Sequence, residues 1–280
     1  MNLIQSIYSH CINMLTTLKE KLRKVYLTIR VKLYKQDDST PITECYLRNP
    51  QSTHLDQEQL FGLCLWLVIA EPHWAYWDSL DTGNTYYDEK IILWKWWEIH
   101  DTKSAKETIE WLLAGGHADL FNRLLEMNRE QGWIYTEDLD FSDSDFDDDV
   151  DEEELKVYFE NLFEVFELEN AGYFFDDLGE RYEIWADAWD LGRAIFLSRV
   201  CYSLGYLRSD EAWWYIEQIQ IIAREQFTNW RDYVTSYLVG RAMWWGDNGT
   251  WESVSSHAIH AMDRSESPLR KISWKNWEPE

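Results

Sequence analysis

Along most of this chain the apolar positions recur at steps of three and four, the spacing of one helical face. Trp185, Ala188, Trp189, Gly192 and Phe196 form such a stripe within 182–204. Trp213, Ile216, Ile219, Ala223 and Phe227 form another within 210–227, with Ser209 as its expected N-cap. Trp230, Tyr233, Tyr237, Arg241 and Trp244 form a third within 229–245, the expected last core helix, and Leu155, Tyr158, Phe159, Leu162, Val165 and Phe166 a fourth over 155–168. Upstream, an apolar run near 59–71 predicts a buried helix stopped by Pro72. A helical pair follows: Ser104 and Glu107 have capping-box spacing, Gly115-Gly116 supplies the left-handed stop, and a second helix runs from His117 to Glu130. The pattern predicts an all-α fold.

Two stretches read differently. Ile4, Ile7, Cys11, Leu15, Leu18 and Leu22 continue the helical spacing, but Val25 to Lys35 also alternates as a strand would, so that part stays open between helix and strand. This arm, residues 1–40, is amphipathic and basic, with seven Lys and Arg against Glu20 before residue 36. It reads as a helix docked on an acidic body or, alternatively, as an interfacial membrane segment through residues 1–35. A helical domain over 58–265 and a tail over 266–280 complete the division. Within 73–87, Trp74, Tyr76, Trp77, Tyr86 and Tyr87 surround Asp81-Thr-Gly-Asn84, a turn signal; such aromatics either staple a loop to the core or line a pocket.

Composition narrows the picture. A chain of 280 residues that is 45% hydrophobic can bury one sizeable core. Eighteen Trp and sixteen Tyr against five Pro make that core from few, large pieces joined by long helices. The four cysteines, Cys11, Cys45, Cys64 and Cys201, show no paired spacing and read as buried thiols. The start lacks the layout of a secretory signal, and the longest apolar run, Phe61 to Ala70, is too short for a bilayer, so a cytoplasmic protein is expected.

The net charge is −25, of which residues 137–154 carry −12 and the remainder −13. Phosphate contacts need an excess of Lys and Arg, so nucleic acid is not an expected partner; a cationic protein is. Within the acidic loop 137–154, Asp143, Asp145, Asp147, Asp149, Asp151 and Glu154 are candidate partner-binding residues. Asp143, Asp145, Asp147, Asp151 and Glu154 also match a calcium-loop template, but Asp148 stands where the sharp turn wants Gly, and a run this acidic matches by default. A solvated loop is the plainer reading, and no metal is expected.

Charges inside the stripes are the remaining chemistry. Glu183, Asp187 and Asp190 share one helix face, Arg193 follows, and Arg241 lies on an aromatic stripe where burial demands a partner, with Asp190 or Asp187 the candidate. Gly192 and Gly240 each precede an arginine and would let two helices approach closely. Asp187, Asp190, Arg193, Arg241, Trp189 and Trp244 therefore form a candidate binding pocket, read either as a structural ion pair between indoles or as a polar floor. No nucleophile elbow, Walker loop or zinc-protease motif occurs; His117 has no second ligand at useful spacing and reads as a loop or capping histidine. Neither catalytic residues nor a cofactor emerge.

Trp111-Leu-Leu-x-x-Gly-His117, Ala188-Trp-Asp-Leu-Gly-Arg-Ala194, Leu204-Gly-Tyr-Leu-x-Ser-x-Glu-Ala-Trp213, Asn229-Trp230 and Leu238-x-Gly-Arg-x-x-Trp244 occur in this order. In these motifs, over residues 109–251, the chain resembles the uncharacterised bacterial family typified by YbeU and YbeR, domain of unknown function 1266. The resemblance implies a bacterial, all-helical protein and carries no activity with it. The expected function is a non-enzymatic, acidic interaction protein, in its sharpest form a toxin-immunity or accessory protein that masks a cationic partner. The alternatives are an enzyme of unknown reaction using the Asp/Arg pocket and a peripheral membrane protein attached through the arm.

Overall fold

The computed structural model describes residues 46–52, 54–70, 75–131, 152–168 and 185–275, and every regular element among them is a helix. In chain order these are α1 (Gln57–Cys64), α2 (Leu67–Ala70), α3 (Tyr86–Trp96), α4 (Thr102–Leu113), α5 (Gly116–Glu130) and α6 (Glu152–Leu168). They continue with α7 (Asp187–Ser203), α8 (Ser209–Gln226), α9 (Trp230–Trp245), α10 (Trp251–Asp263) and α11 (Pro268–Lys271). The basic arm, Cys45, Trp74, Glu183 and most of the acidic loop lie outside the described residues. No described helix is long and apolar enough to cross a membrane.

α7 is the axis of the packing. Every residue from Ala188 to Cys201 is buried, because α3, α4, α5, α8 and α9 all pack on it. A helix covered on all sides has no polar face to show, and its few charged residues must find partners inside. Glycines set its distance from α9: a Cβ at Gly192 would press on the Tyr237 ring, and one at Gly240 would collide with Cβ and Cγ of Trp189 and the Ala186 carbonyl. The obstacle at Gly240 is the root of a side chain, which cannot swing aside. Gly240→Ala should therefore destabilise the protein by about 1–3 kcal/mol despite the better helix propensity of alanine. Urea unfolding followed by circular dichroism reads this, and a neutral or stabilising outcome would show that the two helices have room to spare.

Arg199, fully buried on α7, organises the aromatic turn upstream. Its guanidinium lies 4.4 Å from the Trp66 ring and donates to the carbonyls of Tyr76, Leu80 and Asp81. Thr82 then bonds the buried Glu89 of α3 through its hydroxyl, and Gly83, at φ 75, leaves room for the Tyr76 ring. Trp77 is buried and Tyr76 packs on Gly83, so these two fit a loop stapled to the core, whereas Tyr86 and Tyr87 stand exposed and Trp74 lies outside the described residues.

Several boundaries differ from expectation for local reasons. The helix expected over 59–71 breaks at Leu65 and Trp66, whose amides turn back to Gly62 and Leu63 while Tyr233 donates to the Leu65 carbonyl. The cap of α4 is Asp101, not Ser104: the Asp101 carboxylate accepts from the Ser104 amide, and the Ser104 hydroxyl accepts from the Asp101 amide. Ser209 is the first residue of α8, and Glu211 reaches back to the Arg208 amide. Gly115 and Gly116, at φ 115 and 45, do make the expected left-handed break. Cys64 and Cys201 are buried and unbridged.

α9 is not the last core helix. α10 and α11 follow, and Trp274, from the expected tail, packs edge-on to Trp230 at 4.7 Å and Phe61 at 5.1 Å. Its indole donates to the Phe227 carbonyl, and Trp230 donates to that of Ile272. The apolar material of the tail thus belongs to the core.

Candidate functional site

The entry to α5 is built for a close approach by α7. After the two left-handed glycines the Ala118 amide, in the first turn of α5, donates to Asp190 Oδ2 at 2.8 Å. A Cβ on Gly116 would strike that carboxylate. A helix N-terminus carries partial positive charge, so an acid from a neighbouring helix caps it favourably. Asp190 and Arg193 form an ion pair in which both side chains are buried. Arg193 lies 4.7 Å from the Trp189 ring and 5.4 Å from that of Trp97. Burial pulls its guanidinium down to about 9.

The other end of this guanidinium meets a residue the sequence had not marked as functional. Arg193 Nη2 is 3.0 Å from Nδ1 of His117. Guanidinium only donates, so Nδ1 accepts and the imidazole is neutral with its hydrogen on Nε2. Burial, reinforced by the Arg193 charge, takes the His117 pKa down to about 4. The ring sits edge-on to Trp111 at 4.8 Å and Trp244 at 4.4 Å, and Trp244 stacks in turn on Tyr158. The signal for His117 lay in its motif: Trp111, Gly116, His117, Asp190, Arg193 and Trp244, drawn from three motifs, meet at this one place.

The rest of the expected pocket is dispersed. The Asp187 carboxylate accepts from Asn122 Nδ2, on the next turn of α5, at 2.9 Å and from Gln226 Nε2, at the end of α8, at 3.5 Å. Asn122 closes the loop by accepting from the Ala186 amide at 2.7 Å. Burial raises the Asp187 pKa. The expected pairing of Arg241 with Asp190 or Asp187 is absent. Arg241 folds along the C-terminus of its own helix and donates to the Gly246 carbonyl at 3.0 Å and the Thr250 hydroxyl at 2.6 Å. Carbonyls left open at a helix end are strong acceptors, and a long arginine on the last turns reaches them without crossing to α7. Asp187, Asp190, Arg193 and Arg241 therefore do three separate jobs.

Two shallow depressions open on the surface. One is lined by Asn122, Trp185, Asp187, Gln226 and Phe227. The other, between α4 and α8, is lined by Lys106, Glu110, Asp210, Glu211, Trp214 and Tyr215. In the second, Lys106 pairs with Glu211 at 2.6 Å and the Tyr215 hydroxyl donates to Glu110 at 2.9 Å, while Trp214 is 50% exposed. Among the described residues no group of His, Cys, Asp and Glu converges as a metal site. Asp143, Asp145, Asp147, Asp149 and Asp151 lie outside the described residues, as does the side chain of Glu154, and with them the calcium-loop reading.

Similarity to known proteins adds a family context. The profile of the family described as "Protein of unknown function (DUF1266)" matches residues 92–274. The uncharacterised protein YbeR of Escherichia coli (strain K12) is 37% identical over 57 residues, which is 20% of this chain and 24% of YbeR. The alignment thus spans about a quarter of that relative. No solved structure matches.

Proposed function

Since the chain belongs to the family of proteins of unknown function DUF1266, and membership brings no activity with it, we propose a function from the geometry: a non-enzymatic interaction protein that holds a cationic protein partner. The observation that carries this reading is the α4–α8 depression, where the half-exposed Trp214 stands among Glu110, Asp210 and Glu211. Tryptophan supplies much of the binding energy at protein interfaces, and an indole flanked by carboxylates suits a lysine or arginine side chain. Trp94, Trp96, Trp111, Trp185 and Trp245 are also at least 38% exposed in a chain of net charge −25. An acidic surface of this kind speeds encounter with a basic partner and makes it sensitive to salt. Further support comes from the buried charges: Asp190 and Arg193 are engaged where α5 meets α7, and Arg241 closes the end of its own helix. An immunity or accessory protein that covers the basic cleft of a bacterial toxin is the sharpest form of the proposal, with a cytoplasmic location to match the unbridged Cys64 and Cys201.

The test is capture of a partner from host extract by tagged wild type and by Trp214→Ala. We expect a basic protein at stoichiometric yield, its affinity falling steeply with added salt and at least tenfold in the variant. Capture that is indifferent to salt and to Trp214 would overturn the proposal.

A further inference from the structure

The depression at the junction of α5, α7 and α8 goes beyond that reading, because it lies apart from Trp214 and has its own chemistry. It is lined by Asp187, by the aromatic residues Trp185 and Phe227, and by Asn122 and Gln226. Asp187 forms no ion pair among the described residues, in contrast to Asp190, which meets Arg193 three residues later. Its two oxygens each take one amide hydrogen, from Asn122 on Oδ2 and from Gln226 on Oδ1. A carboxylate has about four acceptor positions, so both oxygens keep capacity for another donor.

The geometry points to a guanidinium-binding site, with Asp187 as the anionic anchor and Trp185 and Phe227 as flat walls. Three features select this chemistry. A half-buried carboxylate with no ion-pair partner among the described residues favours a cationic ligand over a neutral one. Two oxygens with free capacity fit the paired N–H groups of a planar fork. Aromatic walls favour a flat, weakly hydrated cation over a compact ammonium. Trp185 already shows the affinity: the Arg129 guanidinium lies 4.4 Å from its ring. Among the described residues, Asp119 also bears on Asp187, adding negative potential, and lies 3.4 Å from Arg123. The ligand is a small guanidine compound or the arginine side chain of a protein, and the experiment separates the two.

The experiment is a proton–nitrogen NMR titration of the full chain with methylguanidinium, with acetyl-arginine amide, and with methylurea as the neutral isostere. We expect saturable shifts of the Trp185 indole and the Asn122 and Gln226 side-chain amides with methylguanidinium, at a Kd on the order of 1 mM, and none with methylurea. Binding should weaken at least tenfold in Asp187→Asn. In Gln226→Arg the introduced side chain occupies the site and should block binding; since Gln226 is exposed, this variant keeps the fold if Asp187→Asn loses it. Acetyl-arginine amide binding as well as methylguanidinium identifies an arginine side chain as the occupant; methylguanidinium alone identifies a free guanidine compound. Equal shifts with methylurea, undiminished binding in both variants, or no saturable shift would overturn the site. Partner capture that survives Asp187→Asn but not Trp214→Ala would leave the interaction proposal standing whatever the titration shows.

Discussion

Asp190→Asn should cost about 3–5 kcal/mol of folding stability, more than Gly240→Ala. The change keeps shape and volume but removes the carboxylate that pairs with Arg193, which is 7% exposed and held between Trp97 and Trp189. A buried cation left without its counter-charge either drags water into the helix junction or loses its proton, and both are costly. The amide of Ala118 still finds an oxygen in asparagine, so the loss reports the charge and not the cap. Against a total stability of about 5–15 kcal/mol, the variant loses its folded population only if the wild type lies at the low end of that range. Chemical denaturation monitored by circular dichroism measures the difference. A cost below about 1 kcal/mol would mean that Arg193 does not depend on the Asp190 charge for its place in the core. The double variant Asp190→Leu with Arg193→Met should recover most of the loss, since a well-packed apolar pair avoids desolvating either charge.

The second expectation concerns pH, where two buried groups act in opposite directions. His117 titrates at about 4 in the fold against an ordinary 6.5. Below pH 6.5 the unfolded chain takes up a proton that the folded one refuses, so stability falls as pH drops from 6.5 to 4. Glu89 is raised to about 7 from 4.5, by burial first and against the Thr82 bond and the Arg199 charge, with Asp81 and Asp88 pushing the same way as burial. Its contribution is fully present below pH 4.5 and is lost as pH rises through 7. Each slope is worth roughly 2 kcal/mol after allowance for solvent screening, and between pH 4.5 and 6.5 they nearly cancel. The wild type should therefore melt at almost one temperature across that interval. His117→Gln should leave a Tm that falls as pH rises, and Glu89→Gln one that rises with it. Melting curves at three pH values decide the matter; two variants with parallel profiles would refute it.

The parts legible in the sequence were those governed by period. The stripes of α7, α8 and α9 and the glycine pair before α5 follow from side-chain spacing and from the backbone freedom of glycine, both local properties. α3 escapes such a reading because Tyr86, Tyr87, Trp94 and Trp96 all stand exposed, so no apolar stripe marks it. The caps of α4 and α8 shifted because Ser104 and Glu211 serve as third residues of their helices, a role the same residue types fill as well as the first. The Asp190–Arg193 pair was readable as neighbours on one helix turn. The partners of Arg241 were not, since a long side chain can satisfy itself on its own helix end as readily as on another helix. Arg199 carried the same warning as Arg241, an arginine in an apolar helix, and its carbonyl partners more than a hundred positions upstream left no trace in local spacing.

Arg199 also constrains how this surface can change over time. It grips the turn at 76–81 through main-chain oxygens, which every amino acid presents alike. The clasp fixes the course of the backbone and leaves the side chains at those three contact points unread. Position 81, the exposed one of the three, can therefore vary without releasing the turn, whereas Leu80 is held by its burial in the core and Tyr76 by its packing on Gly83, so that related chains can present a different residue there on one inherited frame.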